Sequence, residues 1–254
     1  MSTDAPGPGD AALPLSQWSP GAPAADEPLH PPGGHDHGEG HVGDDHGAGG
    51  ADDGVPDPEG PPAFYFDFRD PESYLAAERV MRTIGVPAPW VPIDSTRLPG
   101  PHVWDGFRCE SDAAAARERV ERIAAERGMQ PLRWPAELPF DSTLALRAAW
   151  YAKGLGRVVS LSLPAFRQAY AGGHDLSTEA FVLISASAAE MHPRAVLQSL
   201  GRAPVIDALA AATDRAIERG VRSTPAIWTG DRVFHGDAGV DEAAAFFAAR
   251  AAAS

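Results

Sequence analysis

The sequence predicts an α/β fold in which two strand-bearing ends enclose a long block of helices, carried behind a disordered acidic leader. Three observations predict it. The composition changes sharply near residue 62; an aromatic run at 63–68 reads as a buried strand entering a capped helix; and strand signals return only near residue 226, after a long stretch of helical periodicity.

The leader comes first. Residues 1–62 hold twelve Asp or Glu, twelve Pro and thirteen Gly, with no Lys or Arg and few large apolar side chains. Such a segment buries too little surface to offset the entropy of ordering, so it is expected to be disordered. The net charge of −14 belongs to it: the other 192 residues carry 23 acids against 21 bases, about −2. No basic stripe stands out, and a nucleic-acid partner is not expected. His35, His37, His41 and His46 sit among Gly and Asp. Imidazoles beside carboxylates are the usual ligands of zinc, nickel or copper, so these four are candidates for weakly holding a divalent metal, although a flexible chain imposes no geometry on them. The N-terminus shows neither a basic region nor an apolar one of secretory type, and no segment has the length and apolarity of a membrane span. A cytoplasmic protein without a membrane partner is the expectation.

In Phe64-Tyr65-Phe66-Asp67-Phe68 three phenylalanines alternate with other residues between Pro61-Pro62 and Asp70-Pro71, the pattern of a buried strand. Asp70 is placed to cap the next helix, Pro71 suits its first position, and Glu72 suits the positive end of its dipole. A helix start facing solvent there would be a place to hold an anion or lower a thiol pKa. The helix is expected from Tyr74 to Ile84, closed by Gly85-Val86-Pro87, with a second strand at Trp90–Ile93 whose prolines suggest an edge.

After a loop-rich passage from Pro99 to Phe107, a charged helix runs from Ser111-Asp112 to near Gly128. Its alternating Arg and Glu read as a solvent-facing surface. A proline-punctuated loop from Trp134 ends in a cap at Asp141 or Ser142. Helices then follow at Leu144–Lys153, Leu163–Ala171, Glu179–Ala189, Pro193–Leu200 and Pro204–Arg219. Ala226–Thr229 and Arg232–His235 flank Gly230-Asp231, a two-residue hairpin loop, and Val240–Arg250 closes the chain as an Ala-rich helix. The lone Cys109 excludes an internal disulfide. No Gly-x-Ser-x-Gly elbow, phosphate loop or dinucleotide fingerprint is present.

Three stretches, in this order, carry a resemblance: the junction at 64–74, the Trp134–Ala149 loop and helix, and Val221-Arg222-Ser223-Thr224-Pro225 with the hairpin behind it. Over roughly 64–247 the chain resembles the DsbA-like branch of thioredoxin-fold proteins, in particular the 2-hydroxychromene-2-carboxylate isomerases and kappa-class glutathione transferases. The resemblance implies a thioredoxin fold split between 63–110 and 204–254, with an inserted helical domain at 111–203, and a cis-proline at Pro225. It also implies a small-molecule substrate, glutathione or another low-molecular-weight thiol as cofactor, and a homodimer. By position it assigns Asp70 and Ser73 to the nucleophile motif, Thr224 and Pro225 to the edge that pairs with the thiol's backbone, Asp237 to its amine end and Trp134 to the closing region. His235, at a strand end expected to face the cleft, is the candidate base.

The chain departs from the family at that motif. Asp70-Pro71-Glu72-Ser73 replaces both Cys-x-x-Cys and the usual serine, and a carboxylate beside a thiolate is repulsive. Asp237 stands one residue early for the usual Gly-x-Asp-Arg. Two readings follow: a thiol-dependent isomerase or transferase, and a non-catalytic binding module on the same scaffold. Thiol oxidoreduction ranks third, because one thiol outside the motif cannot form the internal pair.

Overall fold

Strand β1 (Ala63–Phe66) is central in a four-stranded sheet, with β2 (Trp90–Pro92) parallel on one side and β3 (Ala226–Trp228) antiparallel on the other. β4 (Val233–His235) pairs antiparallel with β3, giving the order β2-β1-β3-β4. The computed structural model describes residues 60–101, 104–107 and 109–253. The leader reading for residues 1–59 and the candidate ligands His35, His37, His41 and His46 lie outside the described residues.

All four residues of β1 are buried, and the two-residue period sorts them between two layers. Phe64 and Phe66 face a core shared with α1 (Pro71–Ala77), α4 (Thr143–Gly154), α5 (Val158–Tyr170), α6 (Glu179–Ala188) and α7 (Pro193–Leu200). Ala63 and Tyr65 pack on Val91, Ile93 and the Ala212 and Ala216 face of α8 (Ala203–Glu218). The first layer is aromatic: Phe64, Phe66, Phe68, Phe166, Tyr74 and Tyr170 form a continuous run with centroids 4.9 to 6.2 Å apart. Burying one such ring contributes roughly 2–3 kcal/mol. The strand and the helices between β2 and β3 therefore share one core, which fixes where the strand ends.

Two expectations shift. The first helix starts at Pro71, as its cap predicts, but breaks at Glu78-Arg79 before the short α2 (Val80–Thr83) instead of running unbroken to Ile84. Arg79 takes φ −132° at the break and reaches Asp237 and Asp241, which sit just ahead of and within α9 (Gly239–Ala253). The helix expected from Leu163 begins at Val158, because Pro164 sits inside α5 instead of opening it. Proline removes one amide donor there. Burial of Leu161, Ala165, Phe166, Ala169 and Tyr170 on one face outweighs that loss. α3 (Glu110–Glu126) keeps the expected exposed charge, with Val120 and Ala124 as its buried line. The hairpin closes at Gly230 (φ +105°), where a Cβ would also crowd Pro61. Among the described residues no helix is long and apolar enough to cross a membrane.

Candidate functional site

The end of β1 and the start of α1 build the site. Asp70 is the N-cap: its Oδ1 accepts from the Glu72 amide at 3.0 Å, and Pro71 takes the first helical position. The Ser73 hydroxyl reaches back and donates to Oδ2 at 2.9 Å. The start of this seven-residue helix is thus occupied by its own cap, so the expected open anion site is absent there.

Asp70 opens onto a cavity of about 120 Å³ whose walls come from distant parts of the chain. Arg69, Asp70 and Glu72 form one wall, Ser95 another, Pro101, Trp104 and Asp105 a third, and Ser223, Thr224 and Gly236 a fourth, with Pro139 completing the lining. Thr224 precedes Pro225 in a cis peptide bond and lines the same cavity as Asp70. Asp70 and Thr224, 154 positions apart in the chain, are therefore neighbours at one cavity. The third and fourth walls are joined backbone to backbone: Gly100 donates its N–H to the Arg222 carbonyl at 2.8 Å, and a Cβ on Gly100 would lie 2.1 Å from that oxygen.

Burial dominates the electrostatics. Asp70 is 8 % exposed, and its carboxyl is pushed up to about 8, first by burial and then by the Glu72 charge; hydrogen bonds from Ser73 and the Glu72 amide oppose this. Asp67, fully buried below it, is also raised by burial, against donors from Ser142 Oγ (2.6 Å), Ser95 Oγ (2.7 Å), Ser95 N (2.9 Å) and Arg69 N (3.2 Å). Asp67 therefore ties Ser95 and the backbone of Arg69, both on the cavity, to the start of α4. Tyr170, whose hydroxyl donates to the Phe68 carbonyl at 2.8 Å, is held well above the usual phenol range by burial. At the rim Arg69 pairs with Asp105 at 2.5 Å, and Glu72 pairs with Arg119.

Several expected site residues stand elsewhere. His235 does not face the cavity: its Nε2 accepts from the Arg222 amide at 3.0 Å, so the lone pair a base would use is engaged, and burial followed by the Arg222 charge lowers its pKa. Asp237 is turned away toward Arg79 (3.2 Å) and Arg127 (2.8 Å), because the break after α1 brings Arg79 beneath it; it is not placed to take an amine in the cavity. Trp134 donates its Nε1 to Glu121 at 2.6 Å and packs against Trp104 at 5.8 Å, so Trp104 and not Trp134 forms the aromatic wall. Ser73 is fully buried behind Asp70 and meets the cavity only through it. Pro225 sits behind Thr224, its carbonyl accepting from Gly236. Sequence reasoning missed Arg69, Ser95, Trp104, Asp105 and Ser223. Arg69 and Ser223 adjoin residues that were singled out, whereas nothing local marks Ser95 or Trp104. Among the described residues no group of three metal-binding side chains occurs. Cys109 is exposed at the N-cap of α3, with its sulfur 2.9 Å from Ser111 Oγ.

The profile of the DSBA-like thioredoxin domain matches residues 63–248. No curated protein sequence matches the chain. Among solved structures, a 2-hydroxychromene-2-carboxylate isomerase is 22 % identical with TM-score 0.66, covering 76 % of this chain and 97 % of the other. A probable DsbA oxidoreductase from Streptomyces coelicolor is 18 % identical with TM-score 0.60, covering 74 % and 88 %. The cytosolic disulfide reductase DsbM from Pseudomonas aeruginosa is 15 % identical with TM-score 0.54, covering 76 % and 99 %. Its structure with GSH gives 17 % and 0.51, covering 74 % and 98 %. At these identities the likeness is one of fold.

Proposed function

The chain belongs to the family of DSBA-like thioredoxin domains, and from that membership we propose that its cavity binds a low-molecular-weight thiol, glutathione or another, for isomerisation or transfer chemistry on a small-molecule substrate. The observation that carries the reading is the meeting of Asp70 and Thr224 at one cavity beside a cis-proline. Solved neighbours named for hydroxychromene-carboxylate isomerase and for a reductase with GSH agree with it.

The residues fit such a ligand. Among the described residues the backbone N–H and C=O of Thr224 take no partner, so a peptide-like thiol can pair with them as an added strand would. The hydroxyls of Ser95 and Ser223 and the Arg69–Asp105 pair give polar points around the Trp104 wall. A bound thiol supplies the nucleophile that the chain lacks at positions 70 and 73, adding reversibly to a conjugated carbon of the substrate. Asp70 is the side chain positioned to hold or pass a proton at that point. Exchange through an internal dithiol is not supported, because Cys109 is the sole cysteine and lies outside the motif.

The second reading, a non-catalytic binding module, is favoured by the engagement of both Asp70 oxygens within the protein. Thermal shift and turnover with glutathione, cysteine and other small thiols separate the two. Ligand at a hundredfold excess over Kd stabilises by about 2.7 kcal/mol. We expect a shift with at least one thiol, lost on S-methylation, and a tenfold or greater loss of turnover in Asp70→Ser. A thiol-dependent shift without turnover, with Asp70→Ser binding more tightly, selects the binding module. No shift and no turnover with any thiol removes both.

A further inference from the structure

Asp70 and Asp67 are two nearly or fully buried acids linked through one hydroxyl: Ser73 Oγ donates to the Asp70 carboxyl at Oδ2 (2.9 Å) and accepts from the backbone amide of Asp67 at 3.5 Å. They are solvated unequally. The Asp67 carboxyl gathers four hydrogen bonds from Ser95, Ser142 and the Arg69 amide, whereas the Asp70 carboxyl opens onto the cavity. Among the described residues no Arg, Lys or His side chain pairs with Asp70. The nearby guanidinium, Arg69, is turned to Asp105. The other ionisable groups facing this point are Asp67 from the end of β1, Glu72 from α1, Asp105 across the cavity and Tyr170 from α5, all of them acids. Resting on the thiol-binding reading, we propose that Asp70 is a protonated carboxylic acid at neutral pH and gives the cavity an O–H donor for the anionic sulfur of a bound thiol.

This reverses the repulsion expected from sequence. A charged carboxylate would repel a thiolate, but a neutral carboxyl donates to it, doing with a buried acid what a hydroxyl or thiol does at this position in the relatives. Burial first and Glu72 second hold the proton on Asp70 up to about 8. The cavity should therefore select a ligand that presents an anionic acceptor to Asp70 and disfavour one that presents a cation.

The test follows two protons. Carbon-13 NMR of Asp-labelled protein, with the Asp70 signal assigned by its loss in Asp70→Asn, should show a carboxyl titrating near 8. A midpoint in the ordinary carboxylate range overturns the proposal. Glutathione affinity measured from pH 6 to 10 should rise as the thiol ionises, near its usual value of about 8.5, and fall roughly tenfold per pH unit once Asp70 has lost its proton. Asp70→Asn keeps a donor at every pH, so its affinity should rise to a plateau without the alkaline fall. Asp70→Ala should lose about tenfold at the optimum. A plateau in the unsubstituted protein overturns the donor role. If no thiol binds at any pH while the Asp70 carboxyl still titrates near 8, the thiol reading fails and the buried acid stands. Asp70→Asn circular dichroism matching the unsubstituted protein excludes misfolding as the cause.

Discussion

Asp70 and Asp237 are both nearly buried and both lie at the start of a helix segment, yet they are treated in opposite ways. Asp237 meets two guanidinium groups, Arg79 and Arg127, while Arg79 also reaches Asp241 at 2.7 Å. Asp70 meets one hydroxyl, one amide and a cavity. A buried carboxylate with cations beside it is fixed in charge and ties elements together. A buried carboxyl without them is left titratable close to neutrality, which marks a place where protons can move. By this criterion the β4–α9 turn is framework and the β1–α1 junction is where the proposed thiol chemistry would take place, although the resemblance assigns both aspartates to ligand binding.

The comparison is tested most severely at its structural end. Asp237→Ala removes the buried carboxylate that Arg79 and Arg127 share and leaves Arg79 only Asp241, so denaturant unfolding should show a loss of about 3 kcal/mol. If the loss is under about 1 kcal/mol, the turn is not framework. At the other end Asp70→Asn should stabilise. A carboxyl raised on folding makes the folded state bind more protons than the unfolded one, so stability is full below about pH 4 and drains away as pH rises toward about 8. The carboxamide escapes that loss, so the variant should gain on the order of 3 kcal/mol at pH 8 and nothing at pH 4, read from unfolding at both. Equal effects at the two pH values would show that Asp70 carries no unusual proton. The smallest effect is at His235, whose pKa is lowered. Its contribution is present above the ordinary histidine value and lost as pH falls, so His235→Gln should flatten the acid side of the stability curve, by less than either aspartate variant. Turnover of any thiol reaction should be unchanged in that variant, since the ring lies off the cavity.

Much of the fold was legible because its determinants are local. The Phe64/Phe66 alternation, the Asp70–Pro71 cap, and Gly230 in the hairpin each specify an element from within a few residues, and each element is found where it was expected. The break at Arg79 was not legible, since its partners lie about 160 positions away. The early start of α5 was not legible either, because Pro164 inside it disfavours a helix locally and only the burial of one face outweighs that cost. The site shows the same division. Asp70 and Thr224 could be named from the resemblance, but the cavity they share takes Ser95 from a single helical turn and Trp104 from a loop, neither singled out by its sequence. His235, Asp237 and Trp134 were misplaced because each finds a partner, Arg222, the arginine pair and Glu121, that only the tertiary arrangement supplies.

The contact of Gly100 with Arg222 sets a limit on how this scaffold can diversify. The two loops approach to the length of a single amide-to-carbonyl bond, with no space for even a methyl group between them. In this chain a wider or narrower cavity would therefore have to come from the side chains at Pro101, Trp104 or Ser223, since the seam beside them has no slack.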